Sequence, residues 1–448
     1  MPKKSIAVVG GGISGLAAAA ELARSGRFQV VLFEKSSRLG GLSGFYEWQD
    51  IACDRFYHVI LSTDAHLRDY IREIGLGSEL FWRRTRTGFF GEKRLVSLSS
   101  VPDYLKFPFL NPLEKLRLGA GILFAAHRVK PGMLDGLAAA QWLENTFGRK
   151  TFQKLWGPLL RSKLGDAAKA VPAAYIQAAI KRLYGARSLW KKHELMGHVR
   201  GGYRRILGAA REDLVRKGVS VLENAPVIEA GPENGGKAVD LRTASSRMRF
   251  DKILLAVPPP EALGILSPAD VPGELHSAGR TGYLGIVCLL LVLRRRLSPF
   301  YMINLLDPGF PFTGVIESTN VISPGEMNGK HLVYLPKYLA PGDPLNDFPD
   351  EKIAGLFLER LQRIFPGLRE DEILHLRVFR ADYAQPVGPA EFRSSTEDCL
   401  KAYGNIFLLN KATGSHFVPN NNSAVQIARE AARKILAAMN APTATGGN

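Results

Sequence analysis

Three glycines near the start of the chain stand at a spacing that suits a diphosphate. Gly10-Gly11-Gly12-Ile13-Ser14-Gly15 reads GxGxxG, and an acid, Glu34, follows 19 residues after Gly15. The first glycine permits a tight turn, and the second lets backbone approach a pyrophosphate. The third lets a helix pack closely on a strand, while the helix N-terminus, beginning at Ile13 and Ser14, faces the negative charge. The Glu34 carboxylate can accept hydrogen bonds from ribose hydroxyls and disfavours a 2′-phosphate, hence NADP.

The next residues choose between the remaining dinucleotides. Glu34-Lys35-Ser36-Ser37-Arg38-Leu39-Gly40-Gly41, with Leu42 after it, matches the ExxxRxGG pattern that follows the second strand in flavoproteins. Arg38 supplies a cation near phosphate or flavin, and Gly40-Gly41 allow close approach of backbone to the cofactor. NAD dehydrogenases do not need this loop, so the expected cofactor is FAD. No metal-ligand cluster stands out.

Further candidates lie along the chain. Asp54-Arg55-Phe56-Tyr57-His58 contains a histidine that could donate to flavin or act as acid or base, its ordinary pKa lying near 6.5. A purely structural role for His58, and packing for Tyr57, stay open. Arg380-Ala381-Asp382-Tyr383-Ala384-Gln385-Pro386 offers Tyr383 and Gln385 as pocket residues, with Tyr383 and His58 the catalytic candidates. Lys163 and Lys337 are candidates for a lysine holding a water at flavin N5, against ordinary solvated lysines. Hydride abstraction by flavin needs position and dryness more than a dedicated base, so catalytic side chains are weakly marked.

The elements that must hold these residues follow from the pattern. Ser5 to Val9 reads as a strand, Leu16 to Ser25 as an alanine-rich helix, and Phe28 to Phe33 as a second strand, a βαβ unit. Gly201-Gly202 precede a helix from Tyr203 to Arg216, and Val219 to Leu222 is a strand. Phe250 to Val257 and Asn405 to Leu409 are strands, and Ser423 to Met439 is a helix. Residues 63–199 read as mostly helical and basic. Residues 261–394 carry strands at Gly285 to Leu293, His331 to Leu335 and Ile373 to Arg380, with a helix at Asp350 to Ile364. The expectation is an α/β protein. A discontinuous Rossmann-like FAD-binding domain (1–62, 200–260 and 395–440) carries an inserted α+β substrate domain (63–199 and 261–394), and 441–448 is a disordered tail.

On these motifs the chain resembles the superfamily of flavin amine oxidases, protoporphyrinogen oxidases and phytoene desaturases. Gly201-Gly202 is similar to the family's paired glycines, and Val227 matches the valine whose backbone meets adenine. Asn405 to Leu409, then Asn422-Ser423-Ala424-Val425, are similar to the last cofactor-binding strand and helix. The resemblance implies that the amides of Ser423, Ala424 and Val425 lie under the flavin pyrimidine, where they would stabilise charge on reduction. It also places Tyr57 and His58 beside the isoalloxazine. Two departures stand out. Asn410 and Lys411 replace the usual acid after the last strand, although Asn410 can still bond ribityl or phosphate. Asn420 stands where amine oxidases place an aromatic residue, so no amine cage is evident.

Composition bounds the rest. The chain of 448 residues has a net charge of +17, and Trp82 to Lys217 holds 27 Lys and Arg against 9 Asp and Glu. Within it, Val101 to Lys130 mixes Leu105, Leu113, Leu116, Leu123 and Phe124 with Lys106, Lys115, Arg117, Arg128 and Lys130. Such a segment can lie in an anionic membrane interface, or it can pack inward as a helix of the substrate domain. No nucleic-acid module accompanies the charge. Cys53, Cys288 and Cys399 form no disulfide framework, and no signal or membrane-spanning segment is read, so a cytoplasmic setting is expected, with the inner face of a membrane left open. These readings converge on an amine-oxidase-like FAD-dependent oxidoreductase. Its substrate is expected to be a lipophilic small molecule, anionic character left open, oxidised or desaturated by hydride transfer to flavin. A non-redox sugar-nucleotide mutase resembling UDP-galactopyranose mutase and a non-catalytic FAD-bound scaffold are the alternatives.

Overall fold

The computed structural model describes residues 3–130, 132–169, 171–185, 194–233, 238–266, 282–387, 400–409 and 420–438. Asn410, Lys411, Cys399 and the tail 441–448 lie outside the described residues.

The first strand, Lys4–Val9, is covered on both faces, which explains its unbroken apolar run Ile6 to Val9. It sits inside a six-stranded sheet with the order Ser220–Leu222, Phe28–Phe33, Lys4–Val9, Lys252–Leu255, Ile406–Leu409, Leu400–Tyr403. All neighbours run parallel except the last pair. One face carries the helices Ile13–Arg24, Ala65–Glu73, Gly202–Arg216 and Asn421–Ala438, whose small residues Ala17 to Ala20, Ala428 and Ala431 share one core. The other face is covered by an antiparallel sheet, Val227–Pro232, Val239–Thr243 and Arg247–Phe250, and by the short helix Pro259–Ile265. The single strand expected from Phe250 to Val257 is therefore two elements. Arg247–Phe250 ends in the antiparallel sheet, and after a break at Asp251 the chain enters the parallel one.

A second sheet of seven strands has the order Ile373–Val387, Gly282–Leu293, His331–Leu339, Gly314–Glu317, Met302–Leu305, Thr87–Gly91, Arg94–Ser97. Its centre is Gly282–Leu293, in which Val287, Leu289, Leu291 and Leu293 face one core. The alternate residues Ile286, Cys288, Leu290 and Val292 face another. The helix Asp350–Ile364 covers the first face through Ile353, Phe357 and Leu361. Thr87–Gly91, from the first insertion, pairs in parallel with Met302–Leu305 from the second.

The segment read as mostly helical thus also contributes strands. Besides Thr87–Gly91 and Arg94–Ser97, Leu80–Thr85 and Glu194–Val199 form a three-stranded sheet with Ile60–Leu61. Arg83, Arg84 and Arg86 break any apolar–polar alternation there, which removed the period-two signal. The helical remainder builds its own core around Phe107, Trp142, Phe147, Leu160 and Tyr175.

Candidate functional site

The glycine turn is fixed by sterics. Gly10 has φ of +107°, and its N–H donates to the Phe33 carbonyl at 2.8 Å, tying the turn to the second strand. A Cβ at Gly15 would lie 1.8 Å from the Gly10 carbonyl oxygen, so only glycine lets the helix Ile13–Arg24 sit this close. Gly12 differs: a Cβ there would meet nothing nearer than the Gly40 oxygen at 3.9 Å. The helix begins with unpaired amides facing that space, and the Ser14 hydroxyl, wholly buried, has no hydrogen-bond partner among the described residues. Free amides, a lone hydroxyl and room beside Gly12 form a cradle suited to the diphosphate of FAD. Ile13 contributes only backbone here, since its side chain is in the core.

Glu34 links the two cofactor loops. One carboxylate oxygen accepts from Gly11 N at 2.7 Å and the other from Ser36 N at 2.8 Å, each keeping a lone pair for a ribose hydroxyl. Gly40 N donates to the Gly11 carbonyl at 2.9 Å, which sets the ExxxRxGG loop against the glycine turn. The approach to Val227 is held to the same place, as Ala225 N donates to Glu34 O and Asn224 N to Ser36 O. The two basic residues of this loop point elsewhere. Lys35 pairs with Glu261 at 2.8 Å, and exposed Arg38 pairs with Glu47 at 2.9 Å while lying over the Phe45 ring. Leu42 is exposed beside Gly41.

The loop Gly40 to Gly44 meets the last helix. Ser43 Oγ donates to Asn421 Oδ1 at 3.1 Å, and Asn421 Nδ2 donates to the Tyr203 hydroxyl at 2.6 Å. Asn420 caps the helix, its Oδ1 accepting from Ser423 N at 3.0 Å, while Ala424 and Val425 are buried in the first turns. The Tyr203 ring lies 4.9 Å from the His58 ring, so this chain of contacts ends on the candidate histidine. Ser43, Tyr203 and Asn421 were missed in the sequence, where nothing distinguishes them from loop and helix residues.

His58 is held neutral. Its Nδ1 lies 2.8 Å from the Phe56 carbonyl, which can only accept, so Nδ1 carries the proton and Nε2 is left as an acceptor. Burial pushes the imidazole down to about 4, the bond to Phe56 opposing it. In that state Nε2 can accept a hydrogen bond and cannot donate one. Burial pushes the nearby Asp54 carboxyl up to about 6, against the His198 charge and the Tyr203 amide, which donates to it at 3.2 Å.

On the far side, Tyr57 reaches the second sheet. Its hydroxyl lies 3.4 Å from that of Tyr338, and the Lys163 ammonium is 5.7 Å from the Tyr338 ring and 5.6 Å from the Tyr175 ring. Tyr175 donates to Gln385 Oε1 at 3.4 Å. Three sequence candidates (Tyr57, Lys163 and Gln385) are thus gathered by partners, Tyr175 and Tyr338, that carried no sequence signal, while His58 joins them only as the chain neighbour of Tyr57. Tyr383 packs edge-on against Tyr283 at 5.6 Å, and no contact among the described residues links it to His58. Lys337 is partly buried, and burial lowers its pKa.

The sequence profile of the family described as flavin containing amine oxidoreductase matches residues 13–436. The chain belongs to that family. A member assigned as a flavin-containing monoamine oxidase, from Mycobacterium tuberculosis, is 25% identical over 286 residues, 60% of each chain. The match thus spans about three fifths of that relative. The 4,4'-diapolycopen-4-al dehydrogenase of Metabacillus indicus is 24% identical over 429 residues, 82% of this chain and 81% of that one. Among solved structures, one from Exiguobacterium assigned as a protoporphyrinogen oxidase superposes with a TM-score of 0.75 at 18% identity, covering 97% of this chain and 99% of the other, which establishes the shared fold. Family membership agrees with FAD as the cofactor expected from Glu34, Gly40 and Gly41.

Proposed function

We propose that this member is an FAD-dependent oxidoreductase that oxidises or desaturates a lipophilic, anionic small molecule by hydride transfer. The carrying observation is the path from cradle to second sheet. Ser43, Asn421, Tyr203 and His58 lead from the glycine loops to Tyr57, Tyr338 and Lys163. Bound FAD supplies the hydride acceptor. The chain's part is to hold it by backbone amides at Ile13 to Gly15 and to exclude water with the packed tyrosines; the amides of Ser423 and Ala424, expected from the sequence to lie under the flavin, are instead already given to Asn420. His58, neutral and already donating to Phe56, leaves an acceptor at this junction rather than an acid. We divide the chain into a cofactor part (1–62, 200–260, 395–440) and a substrate part (63–199, 261–394), a reading supported by the two large sheets, although the helices Ala65–Glu73 and Pro259–Ile265 pack on the six-stranded sheet of the cofactor part. The sheet Ile60–Leu61, Glu194–Val199 and Leu80–Thr85 bridges them.

A lipophilic substrate is supported by the surface of the first insertion. On the helix Pro112–His127, Glu114, Leu118, Gly121 and Ala125 face inward. The opposite stripe is also apolar: Leu113 is 77% exposed and Leu116 72%, with Leu123 and Phe124 beyond them and Leu105 from the preceding helix. A cleft of about 540 Å³, lined by Phe124, Val129, Met133 and Leu134, lies alongside. With Lys106, Arg128 and Lys130 nearby, this face fits an anionic lipid surface. No helix among the described residues is long and apolar enough to cross a membrane, so the contact would be peripheral. The name of the diapolycopenal dehydrogenase relative points the same way.

The test is direct. The purified protein should be yellow with about one FAD per chain. Anaerobic addition of candidate lipophilic carboxylates should bleach the flavin, with product oxidised by two electrons. Protein without flavin absorbance sinks the proposal. A product at the oxidation level of its substrate would instead favour a mutase.

A further inference from the structure

Lys163 is held by two tyrosines. It projects from the helix Gly157–Leu164, and its ammonium lies 5.6 Å from the Tyr175 ring and 5.7 Å from the Tyr338 ring. No carboxylate among the described residues forms an ion pair with it. The charged neighbour Arg182 is like-signed and is itself engaged, gripping Asp64 with two bonds of 2.8 and 2.9 Å. Burial works against the charged ammonium, while the Tyr175 hydroxyl and the two tyrosines together hold it protonated without supplying a carboxylate partner. The surrounding hydroxyls are arranged around it. Tyr175 is tied to buried Gln385, whose own Nε2 donates to the Pro386 carbonyl at 3.0 Å, and Tyr338 is tied to Tyr57. Three distant segments of chain therefore position one positive charge a single tyrosine away from the residue next to His58.

We propose that Lys163, flanked by Tyr175 and Tyr338, is the anchor for the carboxylate of the substrate, fixing which end of a lipophilic acid lies away from the flavin. The anchor rests on the oxidoreductase reading above and deepens it by assigning the anionic group a partner. An ammonium with three N–H donors matches the acceptor-only oxygens of a carboxylate; the Tyr175 proton is already given to Gln385, and Tyr338 is free to donate when Tyr57 supplies the proton between the two hydroxyls.

The holoprotein is titrated with decanoate, with decanamide and with inorganic phosphate, and binding is followed by perturbation of the visible flavin spectrum. Decanoate should bind on the order of 10-fold more tightly than decanamide, the value of one charge-assisted hydrogen bond. Lys163→Met should erase that preference with flavin content unchanged, and Lys163→Arg should keep it. Equal affinity for decanoate and decanamide in the unaltered protein overturns the anchor, as does an unchanged preference in Lys163→Met. Tighter binding of phosphate than of decanoate overturns the carboxylate assignment. If Lys163→Met and Lys163→Arg both lose flavin, the lysine serves the cofactor and the anchor falls. Reduction and reoxidation are followed in the same samples. A flavin that cycles without any anion preference overturns the anchor alone, and a preference without any substrate-driven reduction overturns the oxidoreductase reading alone.

Discussion

The cradle and the Lys163 cluster are built by opposite means. The cradle is backbone: amides of a helix start, a turn that only glycine allows, and a loop pinned by Glu34. It occupies some thirty consecutive residues, so its parts cannot drift apart. The cluster is side chain: Lys163, Tyr175, Tyr338 and Tyr57 arrive from separate helices and strands and meet only when both sheets are in place. A backbone site tolerates changes of side chain and is destroyed by added atoms, whereas a side-chain site has the reverse sensitivity.

The sharpest way to break this contrast is Gly15→Ala. With its Cβ 1.8 Å from the Gly10 oxygen, helix and strand must separate, and destabilisation of about 3 kcal/mol or more, with loss of bound flavin, is expected in urea titrations and flavin assays. Gly12→Ala separates binding from folding. Its methyl meets no protein atom within 3.4 Å, so stability of the flavin-free protein should stay within about 0.5 kcal/mol, while FAD affinity measured by fluorescence falls by roughly 10- to 100-fold.

A smaller effect lies at the junction. The His58 imidazole, held down to about 4 against an ordinary 6.5, takes up a proton on unfolding between those values. Its contribution is present above pH 6.5 and lost as pH falls toward 4. Asp54, pushed up to about 6 from 3.8, does the opposite: its contribution is present at low pH and lost as pH rises through 6. The two oppose each other between pH 4 and 6. In His58→Gln only the Asp54 arm remains, so stability in denaturant series should rise as pH is lowered across that window. A profile unchanged from the parent protein would remove His58 from the balance. Smallest for stability is the double change Leu116→Glu with Leu123→Glu. Both positions are solvated, so the melting temperature should hardly move, while co-sedimentation with anionic phospholipid vesicles should fall several-fold.

The same contrast explains what the sequence revealed. Gly10, Gly15, Gly40 and Gly41 were readable because backbone geometry restricts residue type there, and Gly12 and Glu34 because they stand at the spacing a dinucleotide asks for. The long buried strand Gly282–Leu293 and the helix Asp350–Ile364 were readable from apolar runs and helical periodicity. Tyr175 and Tyr338 were not, since a tyrosine facing a pocket and one facing a core look alike in sequence. Arg38 shows the limit of motif reading: the residue is present as the pattern asks, yet its guanidinium is spent on Glu47 and Phe45. The apolar residues of 101–130 were visible as a group. Only the fold separated Phe107, Phe109 and Leu118, which are buried, from Leu113 and Leu116, which face outward.

The order of strands in the parallel sheet sets a timetable for synthesis. Lys4–Val9 lies beside Phe28–Phe33 and Lys252–Leu255, but Lys252–Leu255 itself waits for Ile406–Leu409, and Ile13–Arg24 waits for Asn421–Ala438 to pack against it. At about 5–20 residues per second, the glycine turn leaves the ribosome on the order of 20–80 s before those partners exist. Until then its alanine-rich helix is covered in part by Gly202–Arg216 alone, and not by the last helix. The part of the cofactor fold made first is thus closed by the strand Ile406–Leu409 and the helix Asn421–Ala438, which are made much later.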